Sequence, residues 1–318
     1  MNSIPMTPQG DEHRPTGSST ELRETHVLGR RTRQFGVRVD LVDSREWLAD
    51  FPACALLHQH QIAHVGICRA VTPYRVVRNR QSGSYFLACL RGEGVILIDG
   101  RWQRCRAGTG CLLPPRMLNA FHAVPGSAWE FCWVRYQQPP EQRPVATAAS
   151  PVLARFDPEP LRASIEGLHH ECRTAAAPAQ MHHWVELIQS YVMRFAQPLR
   201  SDDRLWQLWE QVGRQPERKW TLPALATASH LSAEHLRRLS KQQLGRSPMQ
   251  QVTYLRMQRA SELLSTTDDK IEAIAAAVGY ENPFVFSTTF KKWIGWRPSE
   301  FRTQQARPRH SAGLLAGR

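Results

Sequence analysis

The sequence predicts two domains of opposite class, a strand-rich N-terminal half and an all-helical C-terminal half. Three observations predict it. Residues 26–138 break into short β-branched, aromatic and aliphatic runs separated by Gly and Pro turns. A linker of Pro, Ala and small polar residues follows at 139–151, and beyond it apolar residues recur every three to four positions. The helical half then repeats itself at an offset of about 50 residues. A chain of 318 residues has room for about two domains, and 42% hydrophobic with 22% charged residues is a globular balance.

Residues 1–25, rich in Pro, Gly, Ser, Thr and charge, read as a disordered leader. Strands are expected at Tyr74–Val77, Tyr85–Leu90, Val95–Ile98, Cys111–Leu113 and Phe131–Tyr136. Asp99-Gly100 marks a hairpin because both residues tolerate positive φ. Gly92-Glu93-Gly94 separates two strands, and Pro114-Pro115 ends another. Many short strands at short spacing predict a sandwich or small barrel. Leu161, Ile165, Leu168 and Cys172 lie on one face of a helix; Trp184, Leu187, Ile188, Tyr191, Val192 and Phe195 lie on one face of a second. Pro178 and Pro198 are expected to end these helices.

The repeat is the most informative feature. Leu225-Ala226 matches Ile274-Ala275 at an offset of 49. Leu236 matches Phe286, Lys241 matches Lys291, Leu244-Gly245 matches Ile294-Gly295 and Pro248 matches Pro298, all at 50. Each copy has the logic of a helix-turn-helix. In the first, His230-Leu231-Ser232 makes the turn, Ser232 caps the next helix and Gly245 ends it. In the second, Gly279 supplies the turn, Asn282 is the cap and Pro283 takes the first helical position.

Lys plus Arg total 41 against 28 Asp plus Glu, a net charge of +13 that points to a polyanionic partner. From residue 199 onward 19 Lys and Arg stand against 11 Asp and Glu, so the bias concentrates on the helical half. No run approaches the length of a membrane span, and the N-terminus lacks the apolar core of a signal peptide. Seven scattered cysteines, an odd number with no C-x-x-C, fit reduced thiols in the cytoplasm.

Residues 201–303 resemble the AraC/XylS family of bacterial transcription regulators. The match rests on Arg256-Met257-x-x-Ala260-x-x-Leu263-Leu264, Ile271-x-x-Ile274-Ala275, Val278-Gly279-Tyr280, Phe286-Ser287, Phe290-Lys291-Lys292 and Gly295-x-x-Pro298-Ser299-Glu300-Phe301-Arg302. The resemblance implies two helix-turn-helix units, about 221–243 and 270–293, joined by a long helix near Met249–Leu264. Their second helices would enter successive major grooves of double-stranded DNA, about 34 Å apart. It places Ala233, Glu234, Arg237 and Arg238 at the DNA in copy one, and Pro283, Phe284, Ser287 and Thr288 in copy two. Arg237 or Arg238 suits guanine, Glu234 cytosine N4 and Phe284 a thymine methyl; Lys241, Lys291 and Lys292 suit phosphates. The chain departs from the family at Ser240, usually aromatic, and at Thr288, often Arg. Residues 304–318 form a basic tail.

Residues 26–138 resemble the cupin-like sensor barrel of the same family, through Arg91-Gly92-Glu93-Gly94, Asp99-Gly100-Arg101, Ala107-Gly108, Leu112-Leu113-Pro114-Pro115, His122 and Trp129-Glu130-x-x-Trp133. The resemblance implies a small-molecule effector, with a sugar as the leading class, held by Arg78, Arg80, Tyr85, His122, Trp129 and Trp133. It also implies that the helices in 139–200 pair two subunits, with RNA polymerase as a further partner. No catalysis, cofactor or metal is expected. Competing readings are a metal-dependent cupin enzyme, tested by His58-x-His60-x-x-x-His64, and a cysteine-based redox sensor or alkylation-responsive protein, with Cys105 and Cys111 as the redox pair.

Overall fold

The computed structural model describes residues 25–78, 81–138, 144–174, 177–197 and 203–306. The expected leader, save Thr25, and the basic tail beyond residue 306 lie outside them.

Eleven strands are present among the described residues: β1 (Thr25–Leu28), β2 (Arg33–Arg38), β3 (Ile62–Val71), β4 (Tyr74–Arg78), β5 (Tyr85–Arg91), β6 (Glu93–Ile98), β7 (Arg101–Arg106), β8 (Thr109–Leu113), β9 (Asn119–Ala123), β10 (Ala128–Tyr136) and β11 (Leu153–Arg155). They form two antiparallel sheets, β1-β4-β9-β6-β7 and β11-β8-β5-β10-β3-β2. Among the described residues no ladder closes the two sheets into one barrel. They pack as layers around Tyr74, Tyr85, Phe121, Trp129, Phe131 and Trp133.

All five strands expected from the sequence are present, and β7 follows the Asp99-Gly100 hairpin, where both residues have positive φ. β7 and β9 carried little signal, because half of RWQRCR is arginine and NAFHA lacks β-branched residues. The apolar run of β5 has a simple cause. Tyr85, Leu87 and Cys89 face the other sheet, while Phe86 and Ala88 face two helices. A strand covered on both sides reads as continuous rather than alternating.

Those helices are α1 (Glu159–Arg173) and α2 (Pro178–Ala196). Leu161, Ile165 and Leu168 of α1 and Val185, Ile188, Val192 and Phe195 of α2 bury against the six-stranded sheet. Their apolar stripes are therefore spent within the chain. Gly167 lets the two helices cross closely, since a Cβ there would lie 2.5 Å from the Trp184 ring. Pro178 does not end α1, as expected; it opens α2 at a position where its missing N–H costs nothing.

The rest is helical: α3 (Asp203–Arg214), α4 (Leu222–Ser229), α5 (Ala233–Leu244), α6 (Pro248–Thr266), α7 (Ile271–Ala277), α8 (Pro283–Ile294) and α9 (Pro298–Ala306). Helices α4–α5 and α7–α8 are the two helix-turn-helix units, and α6 runs between them. One core serves both units and includes Trp209, Leu236, Leu255, Phe286 and Phe290. No described helix is long and apolar enough to cross a membrane.

Candidate nucleic-acid interface and effector cavity

Each second helix starts on a side-chain cap. Ser232 Oγ accepts from the His235 amide, and Asn282 Oδ1 accepts from the amides of Phe284 and Val285. Gly245 and Gly295, at φ 77° and 88°, end α5 and α8. On α5, Glu234, Arg237, Arg238 and Lys241 are exposed, and Ala233 is half-buried. Arg237 pairs with Glu234 at 3.3 Å, and Lys241 Nζ donates to the Gly245 carbonyl at 3.0 Å. On α8, Thr288 and Lys292 are exposed, and Pro283, Ser287 and Lys291 are half-buried. Phe284 is 83% exposed and Val285 53%. Among the described residues nothing covers this apolar pair at the start of the helix.

The two units are tied through α6. Arg256 donates from Nε to the Pro216 carbonyl at 2.9 Å and from Nη2 to the Arg218 carbonyl at 3.0 Å, ahead of unit one. Its guanidinium also lies 5.5 Å from the ring centroid of Tyr280 in unit two. A second junction, which sequence reasoning missed, ties this module to the strands. Arg246, between α5 and α6, makes a two-pronged ion pair with Asp99 at 2.6 and 2.8 Å. The same guanidinium stacks 3.7 Å from the Tyr254 ring and donates to Gln251. The next hairpin residue, Gly100, sits under the Lys292 carbonyl so closely that a Cβ would be 2.0 Å from it. Asp99-Gly100 thus serves as a docking point as well as a turn.

The open end of the sandwich holds a cavity of about 210 Å³, lined by Thr25, His26, Arg45, Val77, Arg78, Gln81 and Arg135. Of the expected effector residues, Arg78 lines it. Tyr85 lies beneath, with the Arg78 guanidinium 4.9 Å from its ring centroid. Trp133 is buried deeper and donates to His64 Nδ1 at 2.9 Å. Trp129 is fully buried core whose Nε1 donates to Cys89 Sγ. His122 packs edge-on to Trp102, outside the aromatic core between the sheets. Arg80 lies outside the described residues. The structure therefore brings Arg78 and Tyr85 together and sets Trp129 and His122 elsewhere.

Arg45, Arg135, His26 and Gln81 were missed. Arg135 was legible, since it continues the inward positions of Phe131 and Trp133 along β10; Arg45 sits in a loop with no periodic signal. Burial, then Arg78 and Arg45, pulls the Arg135 guanidinium down to about 9. Partial burial, then Arg78 and Arg45, lowers His26 to about 3. Burial, then Arg45, Arg135 and Arg78, holds His64 well below its ordinary value.

The competing sites do not assemble. His58 faces Asp40, His60 bonds Glu186 at 2.6 Å and His64 is paired with Trp133. Among the described residues no group of three or more His, Cys, Asp or Glu could hold a metal. All seven cysteines are free, and burial raises the Cys111 thiol, the reverse of what a reactive thiolate needs.

A sensor module of two sheets joined to a pair of helix-turn-helix units defines a ligand-responsive DNA-binding regulator. The comparisons with known proteins agree. Residues 64–231 match the AraC-like ligand binding domain, and residues 225–304 match a helix-turn-helix domain model. The chain belongs to the AraC family of transcription regulators, which are not enzymes. It is 25% identical to the MmsAB operon regulatory protein of Pseudomonas aeruginosa over 273 residues, 81% of this chain and 86% of that one. It is 39% identical to the lactose operon transcription activator of Staphylococcus xylosus over 82 residues, 26% of this chain and 29% of that one. It is also 37% identical to the raffinose operon regulatory protein of Pediococcus pentosaceus, over 26% of this chain and 30% of that one.

Proposed function

We propose that α5 and α8 read successive major grooves of one DNA site, and that an effector held at the open end of the sandwich changes how the two units are placed. Ala233, Glu234, Arg237 and Arg238 would face bases in one groove, and Pro283, Phe284, Ser287 and Thr288 in the next. Lys241, Lys291 and Lys292 would meet phosphates. The observation that carries this reading is the matched presentation of the two helices, each capped, each with its exposed residues on the outer side, and braced together by Arg256. Residues 201–303 would form the DNA-binding unit, 26–138 the sensor and 139–200 the connection.

Ligand would act as a population shift between arrangements of the two modules, biased by its differential affinity for them. The Asp99–Arg246 junction is the contact such a shift must strain. Two copies would pair through the outward sides of α1 and α2, because the inward stripes are occupied. RNA polymerase in the cytoplasm would be the further partner. A sugar effector draws support from the relatives named for lactose and raffinose operons. The guanidinium-lined cavity favours an anion instead.

The test is a selection of random duplexes on the full chain at fixed, near-physiological salt. A consensus of two half-elements about one helical turn apart is the expected result. A single short element, unchanged when α8 residues are replaced, would overturn two-groove reading.

A further inference from the structure

Three guanidiniums line the cavity at the open end of the sandwich, and the carboxylate that acts on them is Asp43, already engaged by Arg45. Arg78 is held in place by the stacked rings of Tyr85 and Phe121, whose centroids lie 4.9 and 5.8 Å from its guanidinium carbon. One terminal nitrogen of Arg78 and one of Arg135 are buried without a hydrogen-bond partner. Both amide atoms of Gln81, 3% exposed, are also unpartnered. So are both of Asn119, the cross-strand neighbour of Arg78 on β9. Buried polar atoms are normally satisfied, and an uncompensated cation is costlier still to bury. Arginine keeps its proton at neutral pH, so ionisation offers no relief.

We infer that the effector is a small organic carboxylate, with its anionic group seated between the forks of Arg78 and Arg135 and its remaining oxygens met by Gln81. The inference rests on the reading that this cavity is the effector site. A planar guanidinium fork matches a carboxylate with two parallel hydrogen bonds, and a neutral hydroxyl cannot replace that charge. Size agrees. A space of about 210 Å³ has room for a short hydroxy acid or dicarboxylate.

The experiment is thermal unfolding of the full chain with acetate, lactate, succinate or citrate, and with glycerol, arabinose or galactose, at constant ionic strength against chloride. At about ten times its Kd a carboxylate is expected to raise Tm by about 3–6 °C. Arg78→Gln and Arg135→Gln are expected to abolish that rise, with Kd at least about tenfold weaker. Unliganded Arg135→Gln should melt at or above the wild type, because a buried unpaired cation has gone; a purely structural arginine would lower it. No rise with any of the acids overturns the proposal. A rise with a neutral sugar that vanishes in Arg78→Gln overturns the carboxylate and leaves the cavity as the effector site. A rise that survives in both variants removes the cavity itself.

Discussion

At the turn of unit one stands His230, at φ 52°; at the matching turn of unit two stands Gly279, at φ 79°. Deeper in, Ser240 of unit one occupies the place of Phe290, both fully buried, and the Ser240 hydroxyl has no partner. On the surface, α5 offers Glu234, Arg237 and Arg238, while α8 offers Phe284 and Val285. The same backbone is thus built twice with different chemistry. Unit two owes its packing to aromatic rings, and unit one tolerates a left-handed His and an unsatisfied hydroxyl. Both units border the Asp99-Gly100 hairpin, unit one through Arg246 and unit two through the Lys292 carbonyl.

The sharpest test compares the two buried positions. Phe290→Ala should cost about 3–5 kcal/mol, while Ser240→Ala should be neutral or gain about 1 kcal/mol, read by denaturant unfolding of the full chain. Equal losses would break the contrast between the units.

Next in size is the junction beside unit one. Arg246→Met leaves the Asp99 carboxylate 11% exposed and unpaired, and should cost about 3–5 kcal/mol. Adding Asp99→Asn, which removes the charge and still tolerates the positive φ of 54°, should recover most of that loss, measured by the same unfolding experiment. A double variant as weak as the single one would show that stacking on Tyr254, rather than the ion pair, holds the modules together.

The surfaces should differ in how they bind DNA. Arg238→Ala is expected to cost about 1–3 kcal/mol and relax base choice in one half-element. Lys292→Ala should weaken all sequences alike and lower the slope of log K against log salt by about 1. Phe284→Ala should weaken preference for thymine in the other half-element without moving that slope. A salt series on the selected duplex and its single-base variants checks all three.

The smallest effect is acid sensitivity, and it should fall on the sensor rather than on either unit. His64 is 1% exposed and held neutral by burial and by Arg45, Arg135 and Arg78. The unfolded chain takes up a proton below about pH 6.5 that the folded chain refuses, so stability falls as pH drops through that value. The expected slope is about 1.4 kcal/mol per pH unit for one such group. His64→Phe should remove that group's share of the fall and leave the share of His26, whose pKa is lowered to about 3, as read by Tm between pH 7 and 5.

Much of this was legible before folding. The repeat gave both units because caps and C-terminal glycines act locally: Ser232, Asn282, Gly245 and Gly295 each satisfy or release groups within one turn. β5, β8 and β10 stood out because strands covered on both faces are apolar on both. Of the residues expected to hold an effector, Arg78 lines the cavity and Tyr85 lies against Arg78, whereas Trp129 and His122 sit elsewhere, because a strand residue's facing depends on a register that a sequence does not print. Arg45 gave no signal, being a loop residue without periodicity, and Asp99 signalled only a turn, because its partner Arg246 lies 147 residues along the chain.

The sequence by itself determined the two-part architecture, the doubled helix-turn-helix and the basic charge of the helical half. These follow from periodicity, capping and composition, which are properties of neighbouring residues. Tertiary structure decided that α1 and α2 cover their own sheet. It decided that Arg246 reaches back 147 residues to Asp99, and that three arginines converge on one cavity. Those facts depend on which surfaces come together when apolar area is buried, and burial is indifferent to distance along the chain.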